Sequence, residues 1–357
     1  MTTSLPNTSA LNDIARALVA PRKGILAADE SVPTAGKRLA PVGLENNEEN
    51  RRLYRDLFFT TKGIGDYLSG VILFEETIGH KANDGTPFPQ LLAEHGVIPG
   101  IKVDKGTVAL AGFADEVITE GIDGLRERLQ LFAKQGMKFA KWRAVILIDE
   151  KKGLPSEPCM RSNAGLLARY AALCQEAGIV PIIEPEVLYD KGNHSIEVAE
   201  QVTTAVLERV FEVVEAHRVD RSGLILKTSM VLAAQGFDGA QSTPEEVAAA
   251  TLRCYKASVP ADVGGIVFLS GGQSAEMATV NLAAVNALRA KENASAKSGL
   301  QGAAPYPQYP WEISFSYGRG LQGEALEIWA GKEENKQAAQ AEFLKRLQSV
   351  SKARDGK

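Results

Sequence analysis

Apolar residues along this chain fall into two alternating patterns. Short contiguous apolar runs, several opened by Gly or Pro, are separated by longer stretches in which apolar residues recur every three or four positions. Eight short runs stand out: "KGILAAD" (23–29), "GVILFEE" (70–76), "PGIKVDK" (99–105), "MKFAKWRAVI" (137–146), "GIVPIIEPE" (178–186), "SGLILKTS" (222–229), "GGIVFLSGG" (264–272) and "WEISFSYGRG" (311–320). Contiguous apolar residues mark parallel strands covered on both faces. Between them, 195–217 sets Ala199, Val202, Val206, Val210 and Val213 on one helical face with charges on the other. Thr243-Pro244-Glu245-Glu246 reads as a helix start with proline in its first turn. Residues 333–353 read as a terminal helix, and a polar N-terminal tail leads into a short one.

Eight strands alternating with helices predict an α/β fold of one domain over 1–357, a closed (β/α)8 TIM barrel. The polar segment 289–310, rich in Gly, Ala and Pro, is expected to be a surface excursion before the eighth strand. An open dinucleotide-binding sheet would carry G-x-G-x-x-G after its first strand, and "GILAADES" has none.

Composition adds exclusions. Of 357 residues, 45% are hydrophobic and 24% charged, ordinary for a globular chain. A net charge of -4 gives no cationic face for nucleic acid. Cys159, Cys174 and Cys254 are odd in number and widely spaced, which argues against a disulfide framework and for a reducing compartment. His80, His95, His194 and His217 lack metal-ligand spacing, so no metal is expected. No apolar run approaches a membrane span, and the N-terminus lacks a signal pattern. The expected address is the cytoplasm.

The carboxyl ends of barrel strands build active sites. Here they carry Asp29 and Glu30, Lys102, Lys141 and Arg143, Glu184 and Glu186, Lys227, Ser270-Gly271-Gly272, and Gly318-Arg319-Gly320. Residues two apart on a strand share a direction, so Lys141 aligns with Arg143 and Glu184 with Glu186. The fourth and sixth strands have the same parity, which lets Lys141 approach Lys227. A free lysine has a pKa of about 10.4. A second ammonium about 4 Å away costs on the order of 4 kcal/mol at an effective dielectric of about 20, enough to lower that pKa by about 3. Desolvation acts in the same direction. The product is a neutral amine able to attack a carbonyl; the alternative is a structural ion pair of Lys227 with Glu184 or Glu186.

The seventh and eighth strand ends suit phosphate. "SGGQS" allows close backbone approach, and "YGRG" adds a guanidinium. A second anion site is conceivable around Ser31, Thr34, Arg38 and Lys102. Two phosphate pockets flanking an amine imply an elongated bisphosphate ketone.

"KGILAADES", "GVILFEET", "GIKVDKG", "FAKWR", "PIIEPE", "LSGGQS" and "FSYGR" together resemble, in order, the signature segments of class I fructose-bisphosphate aldolases. The resemblance implies a (β/α)8 barrel, usually a homotetramer, that cleaves fructose 1,6-bisphosphate to dihydroxyacetone phosphate and glyceraldehyde 3-phosphate through a lysine Schiff base, without metal or cofactor. It implies Lys227 as the Schiff-base lysine and Glu184 as general acid/base. Asp29 would orient Lys227 and the C4 hydroxyl, Glu186 would support the network, and Lys141 would keep Lys227 neutral. Ser270, Gly271, Gly272, Ser316 and Arg319 would hold one phosphate. Ser31, Arg38 and Lys102 would hold the other, with Arg51 and Arg143 nearby. Another Schiff-base barrel, such as a transaldolase, is the alternative. "LILKTSMV" departs from the "LLKPNMV" of animal and plant members, and the 289–310 segment is longer than theirs. The terminal tyrosine that protonates the enamine in those relatives has no counterpart, Tyr317 being the last tyrosine. These features resemble a bacterial member of the family.

Overall fold

The computed structural model describes residues 8–297 and 307–357. Its strands are β1 (Gly24–Ala28), β2 (Leu68–Leu73), β3 (Ile98–Lys102), β4 (Thr107–Ala109), β5 (Val117–Thr119), β6 (Phe139–Ile146), β7 (Val180–Val187), β8 (Ile225–Thr228), β9 (Gly265–Phe268) and β10 (Ile313–Tyr317). Eight of them close a barrel in the order β1-β10-β9-β8-β7-β6-β3-β2. Every neighbouring pair in the barrel is parallel. The eight apolar runs of the sequence are these eight strands. The antiparallel hairpin β4–β5 was not expected. Its strands are three residues each, β4 exposed and β5 partly buried, too short for a periodic signal.

The pleat sorts the side chains into two cores. Ile25, Ile72, Phe139, Val180, Ile182, Ile225 and Val267 pack inside the barrel with Leu11, Ala15, Leu18 and Val19, contributed by or following the helix Thr8–Leu18. That helix closes the barrel floor. The alternate residues, among them Leu26, Val71, Trp142, Ile183, Leu226 and Ile266, face the outer helices. A close approach fixes one glycine: a Cβ on Gly100 would lie 2.4 Å from the Phe139 ring.

Outer helices begin where local chemistry starts them. Ser156 Oγ accepts the Cys159 N–H ahead of Glu157–Glu176. Thr243 and Glu246 form a reciprocal capping box ahead of Pro244–Ser258. The excursion expected over 289–310 does not hold for its first nine residues. Ala275–Lys297 is one continuous helix, because 289–297 holds mostly good helix formers and lacks proline. Residues 298–306 lie outside the described residues, and at the segment's end Tyr309 is buried and bonded to Asn293. After a short turn at Glu333–Asn335, the last helix runs Lys336–Arg354.

Phe139 is fully buried at the centre of the interior core. Phe139→Ala is expected to destabilise the fold by about 3–5 kcal/mol, read from the denaturant midpoint. A change under about 1 kcal/mol would show that the barrel interior is not what holds the strands together.

Candidate active site

One pleat above the interior apolar layer, the inward positions turn ionic. On β7, Ile182 faces the core and Glu184 and Glu186 follow in the same direction. On β6, Phe139 is followed by Lys141 and Arg143, and on β8 Ile225 is followed by Lys227. The β6–β7 register sets Arg143 beside Glu184, and the β3–β6 register sets Lys102 beside Lys141. Alternation alone therefore brings side chains from four separate runs of sequence to one end of the barrel.

There they line a cavity of about 380 Å³. Lys141 Nζ lies 2.7 Å from Asp29 Oδ2 and 3.1 Å from Glu184 Oε2. Lys227 Nζ lies 3.1 Å from Glu184 Oε1. The two lysines converge as their parity predicts, but with a carboxylate between them. The bare ammonium pair expected from the sequence is corrected accordingly, because attraction to Glu184 opposes the repulsion between the cations. The Lys227 amine has a carboxylate oxygen at hydrogen-bond distance instead.

The electrostatics follow from burial. Burial drives the Glu184 carboxyl upward, but Lys141, Lys227 and Arg143 outweigh it and hold it below the ordinary range. Lys141 stays charged: burial opposes the ammonium, and Asp29 and Glu184 overcome it, raising its pKa. Arg143 pairs through Nε with Glu186 Oε2.

The cavity has two further polar ends. At one, Ser270, Gly271, Ser316, Gly318 and Arg319 line the wall. Ser316 Oγ is buried without a hydrogen-bond partner among the described residues, and no side chain caps the helix Arg319–Trp329. At the other, Ser31, Thr34, Arg38 and Lys102 face the same space. Lys102 Nζ is steered by Asp104, 2.6 Å from its Oδ1 and 2.8 Å from its carbonyl oxygen. Asp104 was not singled out from the sequence, although it stands two residues beyond Lys102 at the end of the same apolar run. Asp190 also lines the cavity and was likewise missed, in a loop without pattern.

Two expected residues stand apart. Arg51 does not line this cavity: its Nε and Nη2 are held by Glu76 at 2.8 and 2.5 Å, and its Nη1 by Asn46. A charged run on one helix gave no hint of a partner 25 residues away. Gly272 lies behind the cradle in a neighbouring cavity, where an added Cβ would be 2.5 Å from Asp190 Cβ.

Asp29 gives a pH test. Burial raises its pKa, but Lys141 and then Lys227 outweigh this and bring it from 3.8 to about 2. The folded carboxyl therefore holds its charge to lower pH than the unfolded one. Its stabilisation is complete above pH 3.8 and is lost as pH falls toward about 2. Asp29→Asn is expected to lower the Tm near neutrality, with the gap from the parent closing across that window. A gap constant down to pH 2 would contradict the pairing with Lys141.

Comparison with known proteins finds relatives over nearly the whole chain. The model of the family "Fructose-bisphosphate aldolase class-I" matches residues 10–357. A fructose-bisphosphate aldolase of Drosophila melanogaster is 49% identical over 348 residues, covering 97% of this chain and 90% of the relative. A probable fructose-bisphosphate aldolase class 1 of Xanthomonas campestris pv. campestris is 49% identical over 320 residues, covering 90% and 89%. The cytosolic fructose-bisphosphate aldolase 6 of Arabidopsis thaliana is 49% identical over 333 residues, covering 93% and 87%. Among solved structures, the fructose-bisphosphate aldolase of Plasmodium falciparum, crystallised with TRAP and a small-molecule inhibitor, superposes with a TM-score of 0.91 at 44% identity, covering 99% of this chain and 97% of that one. With a charged strand-end cluster of this kind inside a closed parallel barrel, and near half-identity across almost its whole length, this chain belongs to the class I fructose-bisphosphate aldolase family.

Proposed function

We propose that this chain reversibly cleaves fructose 1,6-bisphosphate to dihydroxyacetone phosphate and glyceraldehyde 3-phosphate through a Schiff base on Lys227, without a metal. One observation carries the residue assignment: a buried carboxylate, Glu184, within 3.1 Å of both Lys227 and the permanently charged Lys141.

Glu184 takes the proton of Lys227, and the neutral amine attacks the C2 carbonyl. Glu184 then returns a proton to the carbinolamine hydroxyl, which leaves as water, and an iminium forms. The C4 hydroxyl, oriented by Asp29, loses its proton to the Glu184 carboxylate. The C3–C4 bond breaks, its electrons pass into the iminium, and glyceraldehyde 3-phosphate departs. Protonation of the enamine and hydrolysis release dihydroxyacetone phosphate and restore Lys227. Lys141 stabilises negative charge throughout, and the Arg143–Glu186 pair supports the wall beside Glu184.

The substrate's ends follow from strand order. The Ser270–Gly271 loop follows β9, next to β8 and Lys227. It therefore takes the phosphate on C1, the carbon bonded to C2, together with Ser316 and Arg319. The more distant Ser31, Arg38 and Lys102 take the phosphate on C6. These anchors spend binding energy on positioning at the reacting carbons. We also place the protein in the cytosol as a homotetramer. The cytosolic plant relative supports the address. Light scattering reads the assembly.

Borohydride reduction in the presence of dihydroxyacetone phosphate is expected to leave a covalent adduct on the peptide containing Lys227. Lys227→Met should lose both the adduct and cleavage, by on the order of 10⁴-fold or more, while a chelator leaves the parent enzyme's turnover unchanged. An adduct on another lysine would overturn the assignment. Lys102→Met is expected to erode the preference for the bisphosphate over fructose 1-phosphate by about 10-fold or more, on the scale of one lost charge-assisted contact. An unchanged preference would move the C6 phosphate elsewhere.

A further inference from the structure

Behind the loops that follow β9 and β10, one side chain ties two helices together. Arg346 lies on the last helix, Lys336–Arg354. Its Nε donates to the Gly320 carbonyl at 2.9 Å, one residue past Arg319. Its Nη2 donates to Thr279 Oγ1 at 2.5 Å and to the carbonyl of Ala275, the first residue of the helix that follows "SGGQS". Both helices begin where the cradle loops end.

The cradle halves hold each other loosely at the front. Arg319 Nη2 reaches the Gly271 carbonyl only at 3.5 Å, and even a Cβ added at Gly320 would meet Ser270 only at 3.5 Å. Deeper in, the Tyr317 hydroxyl donates to the Ala278 carbonyl at 2.9 Å. Near the rim, Arg346 sets the spacing. A guanidinium is a planar fork of donors with fixed angles, so its acceptors are held at fixed separations. The same helix is anchored at its other end. Lys336 Nζ lies 2.6 Å from Asp56 Oδ2, Gln340 Nε2 donates to the Leu57 carbonyl at 3.0 Å, and Phe343 packs edge-on against Phe58. The fork therefore projects from a braced support.

We propose that Arg346 is a positioning residue for the C1-phosphate cradle: without touching substrate, it fixes the distance between the Ser270–Gly271 loop and the Gly318–Arg319 helix start. This rests on reading the cradle as a phosphate site. Phosphate binding by backbone N–H groups from two loops depends on their separation more steeply than carbonyl chemistry at Lys227 does.

The test uses Arg346→Ala and Arg346→Lys. Steady-state cleavage of fructose 1,6-bisphosphate is combined with borohydride trapping at Lys227 by dihydroxyacetone phosphate and by unphosphorylated dihydroxyacetone. In the alanine variant, KM and the half-saturating dihydroxyacetone phosphate concentration are expected to rise on the order of 10-fold, with kcat within about 3-fold and trapping by dihydroxyacetone unchanged. Added guanidinium should partly restore the alanine variant. The lysine variant, which has a point donor instead of a fork, should show the same split with a Tm near the parent's, and it answers the question should the alanine variant fail to fold. Equal losses for both trapping agents, or unchanged KM in the lysine variant, would overturn the proposal. A parent enzyme that traps neither agent would instead sink the Schiff-base reading, and this proposal with it.

Discussion

A carboxylate withdrawn from water keeps its charge only where cations compensate it, and the upper end of this barrel is organised around one such compensation. Glu184 is 3% exposed and shares its two oxygens between Lys141 and Lys227. Lys141 is in turn claimed by Asp29. The four groups form a chain of alternating charge, carboxylate–ammonium–carboxylate–ammonium, drawn from four strands. Glu184, Lys141 and Lys227 are buried and Asp29 half-buried, at tolerable cost only because each has its neighbours. The chain ends at Lys227, whose only ion-pair partner among the described residues is Glu184. That asymmetry is what the proposed reaction uses. Lys141 is held by two anions and keeps its proton, whereas Lys227 is held by one, the carboxylate that the proposed reaction uses as proton acceptor.

The apolar layer below makes this arrangement possible. Ile182, Phe139 and Ile225 fill the barrel interior one pleat beneath the ionic residues, leaving the charged groups no room to sink and only one direction to face. The same packing that stabilises the fold also restricts the rotamers of the charged side chains above it. Their geometry is therefore inherited from the strands rather than from mobile loops.

How much of this was legible in the sequence depends on the range of the interaction. The barrel strands were readable because each is an uninterrupted apolar run, and the inward residues because parity is a two-residue rule. Lys227 and Glu184 drew attention as charges at the ends of such runs. What parity does not carry is order along a line. It brought Lys141 near Lys227 but did not show that Glu184 would stand between them, and the Coulomb argument built on two bare cations failed for that reason. Arg51 was mislaid because its partner, Glu76, lies on a different element. Asp104 went unnoticed because it follows the strand proper and acts by holding Lys102. The β4–β5 hairpin has three residues to a strand, too few for a period to show.

The helix at the floor of the barrel has a consequence for traffic. With Leu11, Ala15 and Leu18 packed into the lower end of the barrel interior, the described residues leave no passage along the barrel axis, and both cleavage fragments leave by the upper end. In the proposed reaction one fragment is bonded to Lys227 while the other is free. The free aldehyde therefore vacates the passage first, and the tethered three-carbon piece follows after hydrolysis. A one-ended vessel with a covalent anchor at its base thus imposes a sequence of departure that a through-channel would not.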